Sequence, residues 1–188
     1  MADISTMSKR REATGPRGLP KESKSQFLAF GLGGESFAME IRFLKEVIQY
    51  ETLTEVPLMP SFIRGVINLR GAVVPVLDLA VRFGHRPSEV SRRTCIVILE
   101  LAQGEATTVI GVIVAHVNEV LEPAPSEIEP APSFGNDSRA EFISGVGKLP
   151  SGFVILLDVK HLLSFEELGR LQDVPASAPA SAAADPPA

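Results

Sequence analysis

An internal duplication constrains the fold of this chain more than any other feature of its sequence. Residues 62–66, Phe-Ile-Arg-Gly-Val, recur eighty positions later as Phe-Ile-Ser-Gly-Val at residues 142–146. Because a half of about seventy residues buries too little apolar surface to be stable alone, the duplication predicts two small lobes that share an apolar interface. The remaining matches keep the same order and nearly the same spacing: residues 76–79 with 156–159, 46–47 with 119–120, and 37–39 with 110–112.

The apolar runs of this chain are short and separated by turn residues, which is typical of a mainly β protein built as barrels or sandwiches. Helical pattern is scarce: one turn is predicted at residues 42–46, another at 79–83, and a short helix from the capping-box spacing of Ser164 and Glu167. Strands could exchange between the lobes, so the sequence halves need not be the spatial lobes. The clearest runs are residues 27–32, 73–77, 95–101, 109–115 and 153–157.

The two ends of the chain differ in composition from its body. Residues 1–24 are polar and charged, and residues 169–188 are rich in Ala and Pro, so both are predicted to be mobile tails around a domain at residues 25–168. The formal net charge is −5, and because residues 1–25 carry +3, the remainder carries −8. Such an acidic body disfavours nucleic acid as the main partner.

Nothing in the sequence predicts export or membrane insertion. The first residues lack the apolar core of a secretory signal, and no apolar run approaches the ~18 residues that a membrane span needs. The single cysteine, Cys95, fits a reducing cytosol and a structural thiol in an apolar run. A cytoplasmic protein is expected.

Residues 64–79 predict a β-hairpin with a charged tip, since two apolar runs flank Arg70 and Gly71. The second half serves as an internal control for this hairpin. Arg70 is matched by Pro150, so the hairpin can be built without an arginine, and a partner contact becomes a credible role beside that of a solvated charge. Leu44 is matched by Val117, which favours a core role.

Other features recur in both halves and are therefore interpreted as structural. Gly65 recurs as a backbone glycine at a bend or bulge, and Asp78 recurs as a residue that ends a strand or caps the next turn. Glu46 also recurs, which argues against a dedicated catalytic acid. An apolar site beside Glu46 and Arg70 would suit an amphipathic helix. The recurring partners are Gly145, Asp158 and Glu119.

No catalytic constellation, metal site or cofactor site is predicted. The three histidines, His85, His116 and His161, lack metal-ligand spacing. Gly31 and Gly33 begin like a dinucleotide loop but lead into a strand pattern, so a hairpin turn at residues 33–34 is the better interpretation. There is no nucleophile elbow or Walker loop. We therefore expect a protein that is not an enzyme.

The hairpin resembles the signature of the CheW family of bacterial chemotaxis coupling proteins. The specific part is Arg-Gly-Val at residues 64–66, Asn-Leu-Arg-Gly at 68–71 and Val-Pro-Val-Leu-Asp-Leu at 74–79, with support from residues 27–30, 41–47 and 156–158. The resemblance covers roughly three quarters of the chain. It implies an all-β fold of two small SH3-like five-stranded β-barrels on an apolar interface, with a few short helices.

The resemblance also implies a non-catalytic adaptor that couples chemoreceptors to the histidine kinase CheA. Such a protein binds the receptor's cytoplasmic hairpin tip and the kinase's regulatory domain, and is recruited to membrane-associated receptor arrays. Carried over position by position, receptor contact around the inter-lobe groove falls on Ile41, Leu44, Glu46, Val47, Gly65, Arg70 and Gly71. Kinase contact on the other flank falls on Cys95 and Val120, and Ala115 and His116 depart from relatives that carry an acidic residue there.

Two other functions remain open from the sequence. One is an adaptor of a different chemosensory pathway that controls pili or a second-messenger enzyme, because the motif residues do not separate it from swimming chemotaxis. The other is a double barrel that binds a small molecule in the groove and has a regulatory function.

Overall fold

A computed structural model describes residues 25–131, residues 141–164 and Glu167. The predicted tails, residues 1–24 and 169–188, lie outside the described residues. The chain forms the α-helical turn α1 (Leu79–Arg82) and 3-10 turns at Ile41–Phe43, Pro125–Glu127 and Val159–His161. The strands are β1 (Phe27–Leu32), β2 (Glu35–Glu40), β3 (Leu44–Gln49), β4 (Ile63–Leu69), β5 (Ala72–Asp78), β6 (Cys95–Gln103), β7 (Ala106–Val114), β8 (His116–Leu121), β9 (Ile128–Pro130), β10 (Ile143–Leu149) and β11 (Gly152–Leu157).

These strands form two sheets, which confirms the predicted mainly β architecture with few helices. The five-stranded sheet has the order β3-β6-β7-β5-β4, and the six-stranded sheet has the order β8-β1-β2-β11-β10-β9. The sixth strand was not predicted, because β9 is only three residues long and pairs at the outer edge of β10. The helical turn predicted at residues 42–46 is instead a 3-10 turn that leads directly into β3.

The sequence halves exchange a hairpin. The β1–β2 hairpin joins β8 to β11 of the second half, whereas the β6–β7 hairpin joins β3, β4 and β5 of the first half. The turn of β1–β2 is formed by Gly33 and Gly34, both in the left-handed region as the hairpin interpretation requires. Each sheet therefore contains strands of both halves, so the two sequence halves cannot separate without breaking strand pairs.

The duplication is reproduced in the register of the strands. In the β4–β5 hairpin Ile63 pairs with Leu77, and a β-bulge follows before Gly65 pairs with Val76. The β10–β11 hairpin repeats this register and bulge at the positions eighty residues later. Each of these hairpins also pairs in parallel with one of the two exchanged hairpins: β5 pairs with β7, and β11 pairs with β2. The predicted duplication is thus confirmed at the level of hydrogen-bond register.

The five-stranded sheet curls so that its two edges approach each other. β3 and β4 are its edge strands, yet Thr54, which follows β3, forms a bridge to Val66 of β4. The two residues exchange backbone hydrogen bonds of 3.0 Å and 2.8 Å. This curvature brings β3 close to the turn between β4 and β5.

The two sheets share one apolar core, as predicted. Phe83, which follows α1, packs between Phe37 of β2 and Phe142 before β10, with ring centroids 5.9 Å and 5.7 Å apart. The shared core cluster takes side chains from both sheets, whereas two smaller clusters lie within one sheet each. The largest apolar seam therefore joins the lobes, and burial of this kind is the main stabilising term.

Leu58 combines full exposure with a left-handed backbone, at φ 65°. An ordinary L-residue in this region loses roughly 1–2 kcal/mol, whereas glycine adopts it freely. We expect Leu58→Gly to raise the free energy of unfolding by about 0.5–1 kcal/mol, net of the extra entropy of glycine in the unfolded chain. Urea denaturation of the two proteins measures this difference.

Val90 provides the matched control for Leu58. It is also an exposed apolar residue in a loop, but it is not in the left-handed region. Val90→Gly should therefore leave stability unchanged or lower it. A stabilisation of the same size in both variants would assign the gain to the loss of an exposed apolar side chain and not to the backbone.

Candidate interaction surface

The tip of the β4–β5 hairpin is a tight turn of two left-handed residues, Arg70 at φ 54° and Gly71 at φ 88°. The side-chain oxygen of Asn68 accepts a hydrogen bond of 2.8 Å from the backbone N–H of Gly71. Two successive residues of positive φ match the twist of a hairpin, and glycine favours the second position. The turn presents the Arg70 side chain to solvent, with 76% of it exposed.

The Arg70 guanidinium contacts β3 across the sheet opening. Its Nη2 donates to Oε2 of Glu46 at 3.0 Å, and the Glu46 side chain is only 23% exposed. The curvature of the sheet makes this contact possible, because the residues lie 24 positions apart at opposite edges. An ion pair this exposed adds at most about 1 kcal/mol to stability. Its main effect is to hold the arginine in one orientation.

β3 also carries an exposed apolar side chain, next in the chain to Glu46. Burial alternates along the strand, so Val47 points outward and is 39% exposed, while Leu44 and Glu46 are half-buried. Ile41, in the 3-10 turn before β3, is half-buried and packs against the shared core. Since neighbouring strand residues point to opposite faces, Val47 adds an exposed apolar side chain on the face of β3 opposite Glu46.

Gly65 lies beneath this surface. It is buried at the β-bulge of β4, and a Cβ atom at this position would lie 2.5 Å from the carbonyl oxygen of Thr54. Gly145 is in the same relation to Glu129 in the other lobe, at 2.7 Å. The recurrence and the close backbone approach confirm the structural interpretation of both glycines.

A groove runs between the sheets beside β3. One cavity of about 360 Å³ is lined by Leu44 and Lys45, and a second of about 710 Å³ is lined by Leu101, Phe142 and Leu163; Phe43 lines both. Leu44 thus lies in the groove. The other six residues predicted for receptor contact do not line these cavities. Two of them, Glu46 and Arg70, form the ion pair, and Val47 and Gly71 are their neighbours in the chain.

The two residues predicted for kinase contact lie in different sheets. Cys95 begins β6 of the five-stranded sheet and is half-buried, with its thiol donating to the carbonyl oxygen of Arg93 at 3.3 Å. Val120 lies on β8, an edge strand of the six-stranded sheet, and is 50% exposed. Of the pair, Val120 is the one whose side chain is well exposed to a partner.

Sequence reasoning missed a half-buried ion pair between the lobes. Arg82 of α1 donates two hydrogen bonds to Glu167, of 2.6 Å and 2.9 Å, and its guanidinium lies over the rings of Phe62 and Phe142. Burial alone would raise the pKa of Glu167, but hydrogen bonds from Arg82 and Ser164 and the charge of Arg82 outweigh it, so the pKa is lowered. The duplication held a signal for this residue, because Arg82 is matched by Leu162.

The predicted capping box is confirmed, since Ser164 N–H donates to the Glu167 carboxylate and Glu167 N–H donates to the Ser164 hydroxyl. Among the described residues no group of three or more His, Cys, Asp or Glu side chains could hold a metal ion. None of the helices in these ranges is long and apolar enough to cross a bilayer.

Comparisons with known proteins agree with the fold and the hairpin signature. The model of the CheW-like domain matches residues 26–167. Chemotaxis protein CheW of Klebsiella aerogenes is 34% identical over 175 residues, covering 93% of this chain and 98% of that protein. A probable chemotaxis protein CheW of Rhizobium etli is 30% identical over 142 residues, covering 76% and 89%. The solved structure of the scaffolding protein TtCheW from Thermoanaerobacter tengcongensis is 28% identical, with a TM-score of 0.67 over 85% of this chain and 96% of that one.

Proposed function

Because the chain belongs to the CheW family, we propose that it is a non-catalytic adaptor that couples chemoreceptors to the histidine kinase CheA in chemotaxis signalling. One surface binds the cytoplasmic hairpin tip of the receptor, and a second binds the regulatory domain of the kinase. The adaptor acts in the cytoplasm, at receptor arrays on the membrane. The residues proposed for receptor binding are Ile41, Leu44, Glu46, Val47, Gly65, Arg70 and Gly71, of which Gly65 supports the others from beneath. The kinase surface includes Cys95 and Val120.

The observation that carries this proposal is the oriented Arg70 at the hairpin tip. The matched hairpin has the same register and bulge without an arginine, since Pro150 stands there, so the fold does not require this charge. Glu46 holds the guanidinium in place before any partner binds, which lowers the ordering cost of binding. Leu44 and Val47 supply apolar contact area for a helical partner.

The mechanism follows from two weak contacts on one molecule. An interface below roughly 1,200 Å² is commonly transient, and micromolar binding corresponds to about −8 kcal/mol. An adaptor that holds both partners makes the second contact intramolecular, so an array of many adaptors is far more durable than each contact alone. A change in the way the groove holds the receptor helices can then shift the populations of kinase states.

Arg70→Glu is expected to weaken binding of a receptor hairpin-tip fragment by about tenfold, because it places a second carboxylate opposite Glu46 and removes the bidentate donor. The melting temperature should change by no more than a few degrees, since the wild-type pair is exposed. Isothermal titration calorimetry and thermal unfolding measure the two effects. A large loss of stability would assign Arg70 to the fold instead.

Two further variants sharpen this test. Lys148→Glu disrupts an exposed ion pair with Glu129 at the other hairpin and should leave receptor affinity unchanged. The double variant Glu46→Arg with Arg70→Glu restores an ion pair of reversed direction. Recovery of receptor affinity in that double variant would show that the pair matters only for local structure, whereas continued weak binding supports direct contact by Arg70.

A further inference from the structure

Arg82 lies between the two lobes, where its guanidinium packs on a phenylalanine ring from each. Its guanidinium carbon lies 4.3 Å from the ring centroid of Phe62 and 5.1 Å from that of Phe142. These two phenylalanines are matched residues of the duplication, and each precedes the first strand of its hairpin, β4 in one sheet and β10 in the other. One cation therefore contacts equivalent points of both lobes.

Glu167 fixes the direction of this cation. Both guanidinium nitrogens at the end of the side chain donate to its two carboxylate oxygens, at 2.6 Å and 2.9 Å. The carboxylate is itself held by the backbone N–H of Ser164 at 2.7 Å. Only 16% of the Arg82 side chain and 21% of the Glu167 side chain are exposed, so solvent screens the pair weakly.

Burying the Arg82 side chain costs more free energy than burying an apolar side chain at this position would. Arg82 Nε is buried without a hydrogen-bond partner, and burying a cation is unfavourable unless its hydrogen bonds are complete. The matched position in the other half is Leu162, which is fully buried in the shared core. A leucine thus satisfies the packing of the matched position, and the arginine contributes directed contacts that a leucine does not.

The Arg82–Glu167 pair adjoins the groove beside β3. Arg82, Phe142 and Phe43 line the same cavity, and Phe43 is the residue before Leu44. Any rotation of one sheet against the other changes the width of this cavity, because Phe43 belongs to the five-stranded side and Phe142 to the six-stranded side.

We propose that the Arg82–Glu167 pair is a brace that fixes the angle between the two sheets and thereby the width of the groove at Leu44. Arg82 is a positioning residue in this role, since it does not lie on the surface assigned to the receptor. The consequence for receptor binding rests on the proposed function, whereas the consequence for the sheets does not.

The test measures the distance between the sheets in the free protein. Spin labels on Gln49→Cys of β3 and Asn118→Cys of β8, with Cys95→Ser, report it by pulsed electron paramagnetic resonance; both label sites are exposed edge-strand residues. We expect Arg82→Met to broaden the distance distribution and to weaken binding of a receptor hairpin-tip fragment ~5-fold or more. Glu167→Gln, which leaves the arginine in place, should broaden it to a smaller extent.

Controls separate the brace from general stability. Arg82→Lys keeps the charge and should recover part of the narrow distribution, and Lys148→Met removes an ion pair within one sheet and should leave the distribution unchanged. An unchanged distribution in both Arg82→Met and Glu167→Gln overturns the brace. A broadened distribution with unchanged receptor affinity overturns its link to the groove. Failure of the wild-type chain to bind the receptor fragment refutes the proposed function. The distance measurement still tests the brace in that case, because it is made on the free protein.

Discussion

Replacing Asp78 with alanine is expected to lower the free energy of unfolding by about 3 kcal/mol, whereas the same change at the matched Asp158 should cost only about 1 kcal/mol. The Asp78 carboxylate is fully buried and accepts three hydrogen bonds: from Ala80 N–H at 3.0 Å, from Ser88 N–H at 2.8 Å and from the Ser88 hydroxyl at 2.7 Å. Arg64 also approaches it, at 3.5 Å. The substitution leaves the buried N–H of Ala80 and the half-buried donors of Ser88 without this acceptor.

Asp158 provides the control because it has the same place in the second hairpin but accepts fewer hydrogen bonds. It caps one backbone N–H, that of Lys160 at 3.0 Å, and contacts the exposed ring of His161, while 32% of its own side chain is exposed. Loss of a cap typically costs about 1 kcal/mol. Urea denaturation with equal m-values in all three proteins gives both differences, and about 10 °C of lost melting temperature is expected for Asp78→Ala.

Equal effects at the two aspartates would contradict this account. It would mean that the shared capping role dominates and that the contacts of Asp78 with the loop at Ser88 add nothing. Asp78→Asn gives a further check, since the amide oxygen can replace one carboxylate oxygen as an acceptor but not both. Its free energy of unfolding should lie between those of the wild type and the alanine variant.

The sequence was sufficient to predict those features that depend on local pattern or on the duplication. The hairpin tip at Arg70, the glycine bulge at Gly65 and the Asp78 cap each follow from a short motif that appears twice or departs from its own copy. Backbone geometry explains this success, because a β-bulge or a cap involves residues only a few positions apart.

Long-range contacts could not be predicted from the sequence. The sequence does not predict the exchange of the β1–β2 and β6–β7 hairpins, because a duplicated sequence is equally compatible with strands that stay in their own half. The Arg82–Glu167 pair joins residues 85 positions apart, and no periodicity relates them. Strand β9 was missed because three residues that end in Pro130 carry almost no strand signal.

In the candidate surface, too, the sequence predicts the local feature but not the long-range contact. Sequence identified Arg70 through its absence from the second hairpin, but the Glu46 contact depends on the curl of the sheet, which brings opposite edges together. The placement of Leu44 in a groove likewise depends on how the two sheets pack. Duplication therefore identified which residue is unusual, and tertiary structure determined what that residue contacts.

Gly65→Ala is expected to lower the free energy of unfolding by about 3 kcal/mol or more. The added Cβ would lie 2.5 Å from the Thr54 carbonyl oxygen, and both of these are backbone-fixed positions that no side-chain rotation can relieve. The Thr54–Val66 bridge must open, which removes two hydrogen bonds worth about 1 kcal/mol each, and φ 151° adds backbone strain of roughly 1 kcal/mol or more.

Gly71→Ala separates these two costs. Gly71 also has a positive φ, 88°, but a Cβ there would meet nothing within 4 Å, so only the strain of about 1 kcal/mol should appear. Hydrogen exchange at Val66 N–H, which donates to Thr54 at 2.8 Å, should accelerate in Gly65→Ala and remain slow in Gly71→Ala. If the amide of Val66 stayed protected in both variants, the bridge would be intact and the loss would have to come from strain alone. Because this bridge joins the two edges of the sheet, its loss should also separate Glu46 from Arg70, so Gly65→Ala is expected to weaken receptor binding without touching either side chain.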